Sequence, residues 1–299
     1  RTAASRVRSG DMPELPEVET MRRGIAATVG CRIESVERPR CRLKPILISP
    51  KMPQMRRRIV GTKVTASDRI GKRVLLRLDS DDVLVFEPRM TGLVLLTNPP
   101  NRQHLRLQLN LVAAAARNSR QTRRSHQLSY WDRRGLGSVR LLAPPQLEEM
   151  ASQFGPDALQ TTAETLRERL GRSQRAIKVA LLDQHAVAGI GNLYASEILH
   201  LARIHPQSRC NHLRRPDWQR IASATREVLA AAVRYEGSTL SDGTYRNALN
   251  EQGGYQKHHR VYDRAGVLCP ACGKAKIQRI VQSQRSTFFC NVCQRERRP

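Results

Sequence analysis

No apolar run in the sequence approaches the ~18–20 residues that a membrane-spanning helix needs, and no segment has the apolar centre of a signal peptide. Acidic residues are scarce, since 26 Asp and Glu face 52 Lys and Arg and give a formal charge of +26. Such an excess favours a polyanionic partner, because each neutralised phosphate releases counterions. A ribosomal-type protein and a membrane-surface binder are the alternatives. We expect a cytoplasmic or nucleoid location.

The chain also lacks an initial methionine. It begins with Arg1, and the first methionine is Met12. Residues 1–11 are polar and basic, with no apolar periodicity. We expect them to be an upstream extension that is absent from the mature protein; a disordered tail is the alternative.

Three of the seven cysteines, Cys31, Cys41 and Cys210, have no partner spacing and are interpreted as mostly buried thiols. The other four form two CxxC pairs separated by 17 residues: Cys269, Cys272, Cys290 and Cys293. This spacing predicts one structural Zn²⁺, and four thiolates leave no open position for catalysis. The module is too short to bury a real core, so metal binding would supply its folding energy.

The first half of the chain is predicted to form a helix over 16–30 followed by many short strands, which suggests a β-sandwich or barrel. The predicted strands are 31–38, 56–66, 72–78, 82–87, 92–97, 104–112, 128–132 and 138–143. Residues 113–127 contain four arginines and no acidic residue, and they interrupt this pattern as a predicted flexible loop.

After Pro144-Pro145 the pattern becomes helical, with Asp217 as the expected cap of the last helix. Helices are predicted over 146–153, 163–171, 174–186, 192–202 and 217–235. Residues 237–262 are predicted to be a long loop, and such loops in compact proteins are often functional. We therefore expect an α+β multidomain chain: a sandwich over 12–145, a helical domain over 146–262 and a zinc finger with a β-hairpin over 263–299.

The segment AVAGIGNLYASEIL places Gly189 and Gly191 just before a predicted helix. Glycines permit close backbone approach, and a helix N-terminus offers free N–H groups to an anion. Asn192 is expected to cap that helix. Taken alone, this motif favours a tight turn, and Lys178 in the preceding helix favours a solvated face.

Four motifs in order resemble the formamidopyrimidine-DNA glycosylase family: MPELPEVET, AIK…GIGNLYASE, the Gly/Asn/Gln-rich loop and CxxC…QRSTFFCxxC. The resemblance runs from about Met12 to the end. It implies a β-sandwich, a helical domain with a helix–two-turns–helix motif, a zinc finger, and damaged double-stranded DNA bound between the domains. A clamp of this kind works as a monomer.

The resemblance makes Pro13 the nucleophile after removal of the initiator methionine. An α-amino group has a pKa of ~8 against ~10.4 for lysine, so it is uncharged far more often near neutral pH. Glu14 matches the acid/base residue that would protonate the sugar ring oxygen, and Glu17 a second acidic position. Lys72 aligns with a lysine near the lesion and its phosphate, and Arg285 with the finger arginine that holds phosphate.

Lys178, Asn192 and His104 are assigned to DNA-contacting positions by the same resemblance. The residues that would fill the gap left by an extruded base are Met90, Arg134 and Leu136. The family usually has an aromatic residue in place of Leu136. The loop near 238–256 matches the lid over the extruded base, with Ser241 where a basic residue is frequent.

The resemblance implies excision of oxidised purines, such as 8-oxoguanine and formamidopyrimidines, followed by strand cleavage through β,δ-elimination. One alternative is the related pyrimidine-directed endonuclease VIII branch. The other is a non-catalytic zinc-finger protein, because basic charge and zinc explain DNA binding without chemistry.

Overall fold

The computed structural model describes residues 13–113, 125–240, 243 and 245–296. Its N-terminal part contains two facing sheets, one with the strand order β1-β7-β8-β6 and one with the order β2-β9-β5-β4-β3. The strands are β1 (Cys31–Glu37), β2 (Leu47–Ser49), β3 (Val64–Ile70), β4 (Arg73–Leu78), β5 (Val83–Glu87), β6 (Gly92–Leu95), β7 (Leu105–Ala113), β8 (Ser125–Asp132) and β9 (Ser138–Leu142). The predicted β-sandwich is confirmed.

Side chains along each strand alternate between the two faces of the sheet, and this explains why two sheets form. In β4, Val74 and Leu76 point into the sandwich core, whereas Leu75 points to the outer face. The outer face of the five-stranded sheet is covered by a helix that places Leu147 and Met150 over Leu75. Successive side chains of a strand point to opposite faces, so each face buries its own apolar set.

Helices flank and follow the sandwich. They are α1 (Leu15–Gly24), α2 (Met52–Ile59), α3 (Pro144–Ser152), α4 (Ala163–Leu170), α5 (Ile177–Leu181), α6 (Asn192–Ala202) and α7 (Arg215–Arg234). α7 buries Trp218, Ile221, Val228 and Leu229 on one face. A helix with one apolar stripe packs that stripe onto the core, and here α6 and α4 are its main neighbours.

Several predicted boundaries were wrong for local reasons. Residues 56–66 were predicted as one strand, but Met55 and Ile59 lie four residues apart and bury one face of α2, so the strand begins only at Val64. The helix predicted over 174–186 is only α5, because the carboxylate of Asp183 accepts a hydrogen bond from the His185 N–H in the turn that follows. Asp217 is the third residue of α7 and not its cap; its carboxylate accepts from the Arg214 N–H at 2.9 Å.

The segment between β7 and β8 was also predicted, as a flexible loop. β7 and β8 pair as far as Val112 and Ser125, so residues 114–124 connect two adjacent strands. The predicted flexible loop over 113–127 falls largely on those residues, which lie outside the described ones. In the described part of the chain, no helix is long and apolar enough to cross a membrane.

Candidate active site

The carboxylate of Glu14, at the start of α1, is bound by the N-terminal end of α6. The Gly191 N–H donates to Oε2 at 2.6 Å, the Leu193 N–H to Oε1 at 2.8 Å and the Tyr194 N–H to Oε2 at 3.4 Å. The first N–H groups of a helix lack intrahelical partners and favour a negative charge. This arrangement holds Glu14 in place, together with the buried Pro13 that precedes it.

The two glycines of GIGN are explained by the closeness of the α1 segment. A Cβ atom on Gly191 would lie 2.3 Å from Cδ of Glu14, and one on Gly189 would lie 2.5 Å from Cδ1 of Leu15. Gly189 also has a φ of 109°, which favours glycine. The prediction that Asn192 caps the helix was wrong: Asn192 is the first residue of α6, and the Glu14 carboxylate takes the capping position.

Glu17 links the start of α1 to the start of the predicted lid. Its carboxylate accepts hydrogen bonds from the Glu14 N–H at 2.9 Å, the Tyr194 hydroxyl at 2.6 Å and the Ser238 N–H at 2.9 Å. Burial raises the pKa of Glu17, and these hydrogen bonds act in the opposite direction. Gly237 has a φ of 77°, and a Cβ there would lie 2.8 Å from Glu17 Oε1. Glu17 thus fixes the positions of two segments.

Replacing Tyr194 with Phe should loosen this link. The buried Glu17 carboxylate would lose its shortest hydrogen bond, so we expect the free energy of unfolding to fall by about 1–3 kcal/mol. Chemical denaturation measures this. Tyr235→Phe is the matched control, because Tyr235 is partly exposed and stacks on His258. Equal stability of Tyr194→Phe and the control would contradict the proposed link.

Lys72, Glu14 and Arg285 influence one another electrostatically. Removal from water lowers the pKa of the Lys72 ammonium group; Glu14 opposes this and the positive charge of Arg285 adds to it. Lys72 lies in the turn between β3 and β4, while Arg285 begins a strand of the finger. The fold therefore places Lys72 within electrostatic range of both Glu14 and Arg285, which are distant from it in the sequence, and Pro13 directly precedes Glu14.

Lys178 and Asn192 connect the helical domain to the finger. Lys178 is fully buried; its Nζ donates to Asn192 Oδ1 and, at 2.8 Å, to Thr287 Oγ1. Asn192 Nδ2 donates to the Ser286 carbonyl at 3.1 Å. Both side chains therefore hold the strand that begins with Arg285. The interpretation of Lys178 as a solvated face residue was wrong.

The predicted wedge residues lie on two adjacent loops. Asp132, which sequence reasoning missed, joins them: its Oδ1 accepts from the Thr91 hydroxyl at 2.5 Å and from the Arg134 N–H at 3.1 Å. Met90 and Leu136 are partly exposed, and Arg134 is exposed. A buried aspartate therefore fixes both loops while leaving these side chains accessible.

His104 lies beside the same loops and packs edge-on against Trp131, with ring centroids 5.3 Å apart. Burial lowers the pKa of His104, and the charges of Arg106 and Arg133 lower it further. Its imidazole is therefore mainly neutral at neutral pH.

The predicted lid is described over 238–240, 243 and 245–256. Its two ends are joined by Thr239, whose hydroxyl donates to the Tyr245 carbonyl at 2.8 Å and accepts from the Gly253 N–H at 2.9 Å. Ser241 lies outside the described residues.

The four clustered cysteines fit one zinc ion. Their Sγ atoms all lie within 4.8 Å of one another, and the pairs Cys269–Cys293 and Cys272–Cys290 are each 3.8 Å apart. Tetrahedral Zn²⁺ with Zn–S bonds of ~2.3 Å requires S···S separations of about 3.8 Å. They bind one structural zinc, which anchors the hairpin of β10 (Gln278–Gln282) and β11 (Arg285–Phe289).

The finger does not stand apart from the rest of the chain. Phe288 and Ile277 belong to the same core cluster as α6 and α7. Gln294 Nε2 donates to the Ile204 carbonyl at 2.9 Å. The finger and the helical domain therefore share one core.

Comparison with protein-family models gives three consecutive matches. The formamidopyrimidine-DNA glycosylase N-terminal domain matches residues 12–139, the helix–two-turns–helix domain of the same family matches 154–244, and the zinc finger found in FPG and IleRS matches 267–295.

Curated relatives and solved structures agree with these matches. The formamidopyrimidine-DNA glycosylase of Chloroflexus aurantiacus is 36% identical over 291 residues, covering 95% of this chain and 98% of the relative; that of Thermomicrobium roseum is 37% identical over 294 residues, covering 95% and 99%. A Lactococcus lactis Fpg mutant in complex with Fapy-dG-containing DNA has a TM-score of 0.80 at 31% identity, covering 95% of this chain and 100% of that one. The MutM (Fpg) protein from Thermus thermophilus has a TM-score of 0.79 at 33% identity, covering 95% and 99%.

The sandwich, the helical domain, the zinc finger and the Glu14 site together define a DNA glycosylase of base excision repair. The chain belongs to the formamidopyrimidine-DNA glycosylase family, whose members also have AP lyase activity. The alternative of a non-catalytic zinc-finger protein is therefore not supported.

Proposed function

We propose that the protein removes oxidised purines, such as 8-oxoguanine and formamidopyrimidines, from double-stranded DNA and then cleaves the strand. The arrangement that supports this most is the Glu14 carboxylate, held beside Pro13 by three N–H groups at the N-terminal end of α6. A fixed carboxyl group next to a terminal amine can serve both proton transfer and nucleophilic attack on a sugar.

The proposed chemistry begins with the Pro13 nitrogen. Its lone pair forms a bond to the anomeric carbon, and the bond from that carbon to the base breaks with its electron pair going to the base. The Glu14 carboxylate takes the proton that the Pro13 nitrogen releases and gives it to the ring oxygen, which opens the sugar and leaves an iminium between Pro13 and the sugar, while the departing base takes a proton from solvent. The iminium accepts electrons, so loss of a sugar proton expels the 3′ phosphate, and a second elimination expels the 5′ phosphate.

The remaining residues have proposed roles in binding. Arg285 and Lys72 contribute positive charge beside the sugar and its phosphate, and Lys178 and Asn192 hold the strand that carries Arg285. Met90, Arg134 and Leu136 fill the space that the extruded base leaves. Leu136 retains apolar bulk but lacks the ring of an aromatic wedge, so its contribution depends on packing alone.

A structural neighbour supports the choice of substrate, since the Lactococcus lactis Fpg mutant forms a complex with Fapy-dG-containing DNA. Duplexes with single 8-oxoguanine, formamidopyrimidine, thymine glycol or 5-hydroxycytosine lesions test it. We expect the purine lesions to be cleaved at least about tenfold faster, which corresponds to ~1.4 kcal/mol in the transition state. Faster cleavage of the pyrimidine lesions would favour the endonuclease VIII-like alternative.

A further inference from the structure

Three arginines surround one glutamate on the outer face of the five-stranded sheet. Glu87 Oε1 accepts from Arg73 Nη2 at 2.8 Å and lies 3.2 Å from Arg89 Nε, while its Oε2 lies 3.9 Å from Arg140 Nη2. We call Arg73, Glu87, Arg89 and Arg140 the arginine cluster. One carboxylate against three guanidinium groups leaves a local excess of two positive charges.

The cluster contains donors that no protein group satisfies. Among the described residues, Arg73 Nε and Arg140 Nε are buried and have no hydrogen-bond partner. The side chains of Arg89 and Arg140 are 56% and 32% exposed, so an anion can reach their guanidinium groups and neutralise part of the surplus positive charge. Burial lowers the pKa of Arg73; Glu87 raises it, and the charges of Arg140 and Arg89 lower it further. The three cations therefore repel one another with only one counter-charge.

The cluster is built on rigid supports. Arg73, Glu87 and Arg140 come from the neighbouring strands β4, β5 and β9, where Glu87 pairs with Ser138. The Arg73 guanidinium stacks over the ring of Phe154 at 4.6 Å. Ser138 Oγ donates to Glu87 Oε2 at 3.2 Å. Guanidinium groups fixed in this way keep their fork geometry, which suits the oxygens of a phosphate.

In the sequence, the arginine cluster lies next to the residues proposed to contact the lesion and to act as the wedge. Arg73 follows Lys72 directly, and Arg89 precedes Met90, so the cluster begins where the proposed lesion and wedge contacts end. Arg89 has a φ of 51° in the turn that the Gly92 N–H closes onto the Pro88 carbonyl at 2.8 Å. This turn places Arg89 and Met90 just beyond the carboxyl end of β5.

We propose that the arginine cluster is an additional DNA-binding site that takes one backbone phosphate, with Glu87 as the internal anion that it holds when DNA is absent. The proposal rests on the proposed function, because it assumes the DNA path past Lys72 and Met90. It assigns a binding role to Arg73, Arg89 and Arg140 that neither the sequence motifs nor the Glu14 site requires.

The test is the salt dependence of binding to a duplex that contains a tetrahydrofuran abasic analogue. Arg140→Gln should weaken binding about tenfold at low salt and make the slope of log K against log salt shallower by about 0.9, the amount for one phosphate. Arg77→Gln is the matched control, because Arg77 lies on the same face of β4 and pairs with Asp68. It should leave the slope unchanged. Equal slopes for Arg140→Gln and Arg77→Gln would overturn the proposal.

Glu87→Gln separates a phosphate site from a purely structural ion network. Removing the internal anion should strengthen DNA binding about threefold and steepen the slope, because the phosphate no longer competes with a carboxylate. A structural network would instead show a lower melting temperature with unchanged or weaker binding, which would refute the proposal. If the unaltered protein failed to bind the duplex, the proposed function would fail and not only this site.

Discussion

Protein that begins at Pro13 should cleave lesion-containing DNA, and protein that retains residues 1–12 should not. The reason is electronic: in a peptide bond the nitrogen lone pair is delocalised into the carbonyl, so an internal Pro13 cannot attack the sugar. A free secondary amine with a pKa near 8 is partly unprotonated at neutral pH. Sodium borohydride reduces the iminium to a stable protein–DNA adduct that a denaturing gel separates.

Pro13→Gly in protein that begins at residue 13 tests the same amine in another way. Glycine keeps an amino group but loses the ring that fixes it in its buried position. We expect adduct formation to fall by a factor of about 100 or more, since positioning of the nucleophile supplies several orders of magnitude in rate. Pro45→Gly is the control, because Pro45 is exposed and lies outside the site. Undiminished trapping in Pro13→Gly would contradict the assigned role.

Loss of the zinc should have the second large effect. In Cys290→Ala the three remaining thiolates no longer complete a tetrahedral site, and structural zinc supplies ~10–16 kcal/mol of binding free energy in finger peptides. The hairpin that carries Arg285 should unfold, and Lys178 and Asn192 would lose their contacts with Ser286 and Thr287. We therefore expect DNA affinity to fall by about 100-fold or more, which corresponds to ~2.7 kcal/mol.

Metal content by atomic absorption and duplex binding by fluorescence anisotropy measure this effect. Cys41→Ser removes a thiol outside the finger and should keep one zinc per chain and normal binding. Because Phe288 and Ile277 share a core with the helical domain, Cys290→Ala should also lower the melting temperature. A zinc-free variant that binds lesion DNA as tightly as the unaltered protein would contradict the role given to the finger.

The sequence predicted the sandwich and the zinc site because their patterns are local. Short apolar runs bounded by turn residues mark strands such as β4 and β5, and CxxC pairs mark a metal site without any tertiary information. The spacing of Met55 and Ile59 is typical of a helix, but the β-type residues that follow them led to the prediction of a strand. Because α2 is only eight residues long and its other side carries exposed basic residues, its amphipathic pattern is short.

The sequence predicted the residues of the candidate site but not the hydrogen bonds that hold them in place. Glu14, Lys72 and Arg285 followed from motifs, yet the binding of Glu14 by the N–H groups of α6 depends on packing between segments about 180 residues apart. Asp132 carries no motif, since its function is to accept hydrogen bonds from two loops that meet only in the folded chain.

The arginine cluster could not be predicted from the sequence for a similar reason. Arg73, Glu87 and Arg140 lie on three strands, and their spacing along the chain gives no indication that they meet. In a chain with 52 basic residues, single arginines are expected on any exposed face. Among the described residues, the buried and unpaired Nε atoms of Arg73 and Arg140 distinguish this cluster from the other arginines.

Peptide mapping of the borohydride-reduced adduct tests the central claim most directly. Protein that begins at Pro13 is trapped on an abasic duplex, digested with nuclease and protease, and sequenced by mass spectrometry. The sugar remnant should be attached to the nitrogen of Pro13 in the peptide that also contains Glu14. A remnant on Lys72, or on any other lysine, would show that a different amine carries out the reaction.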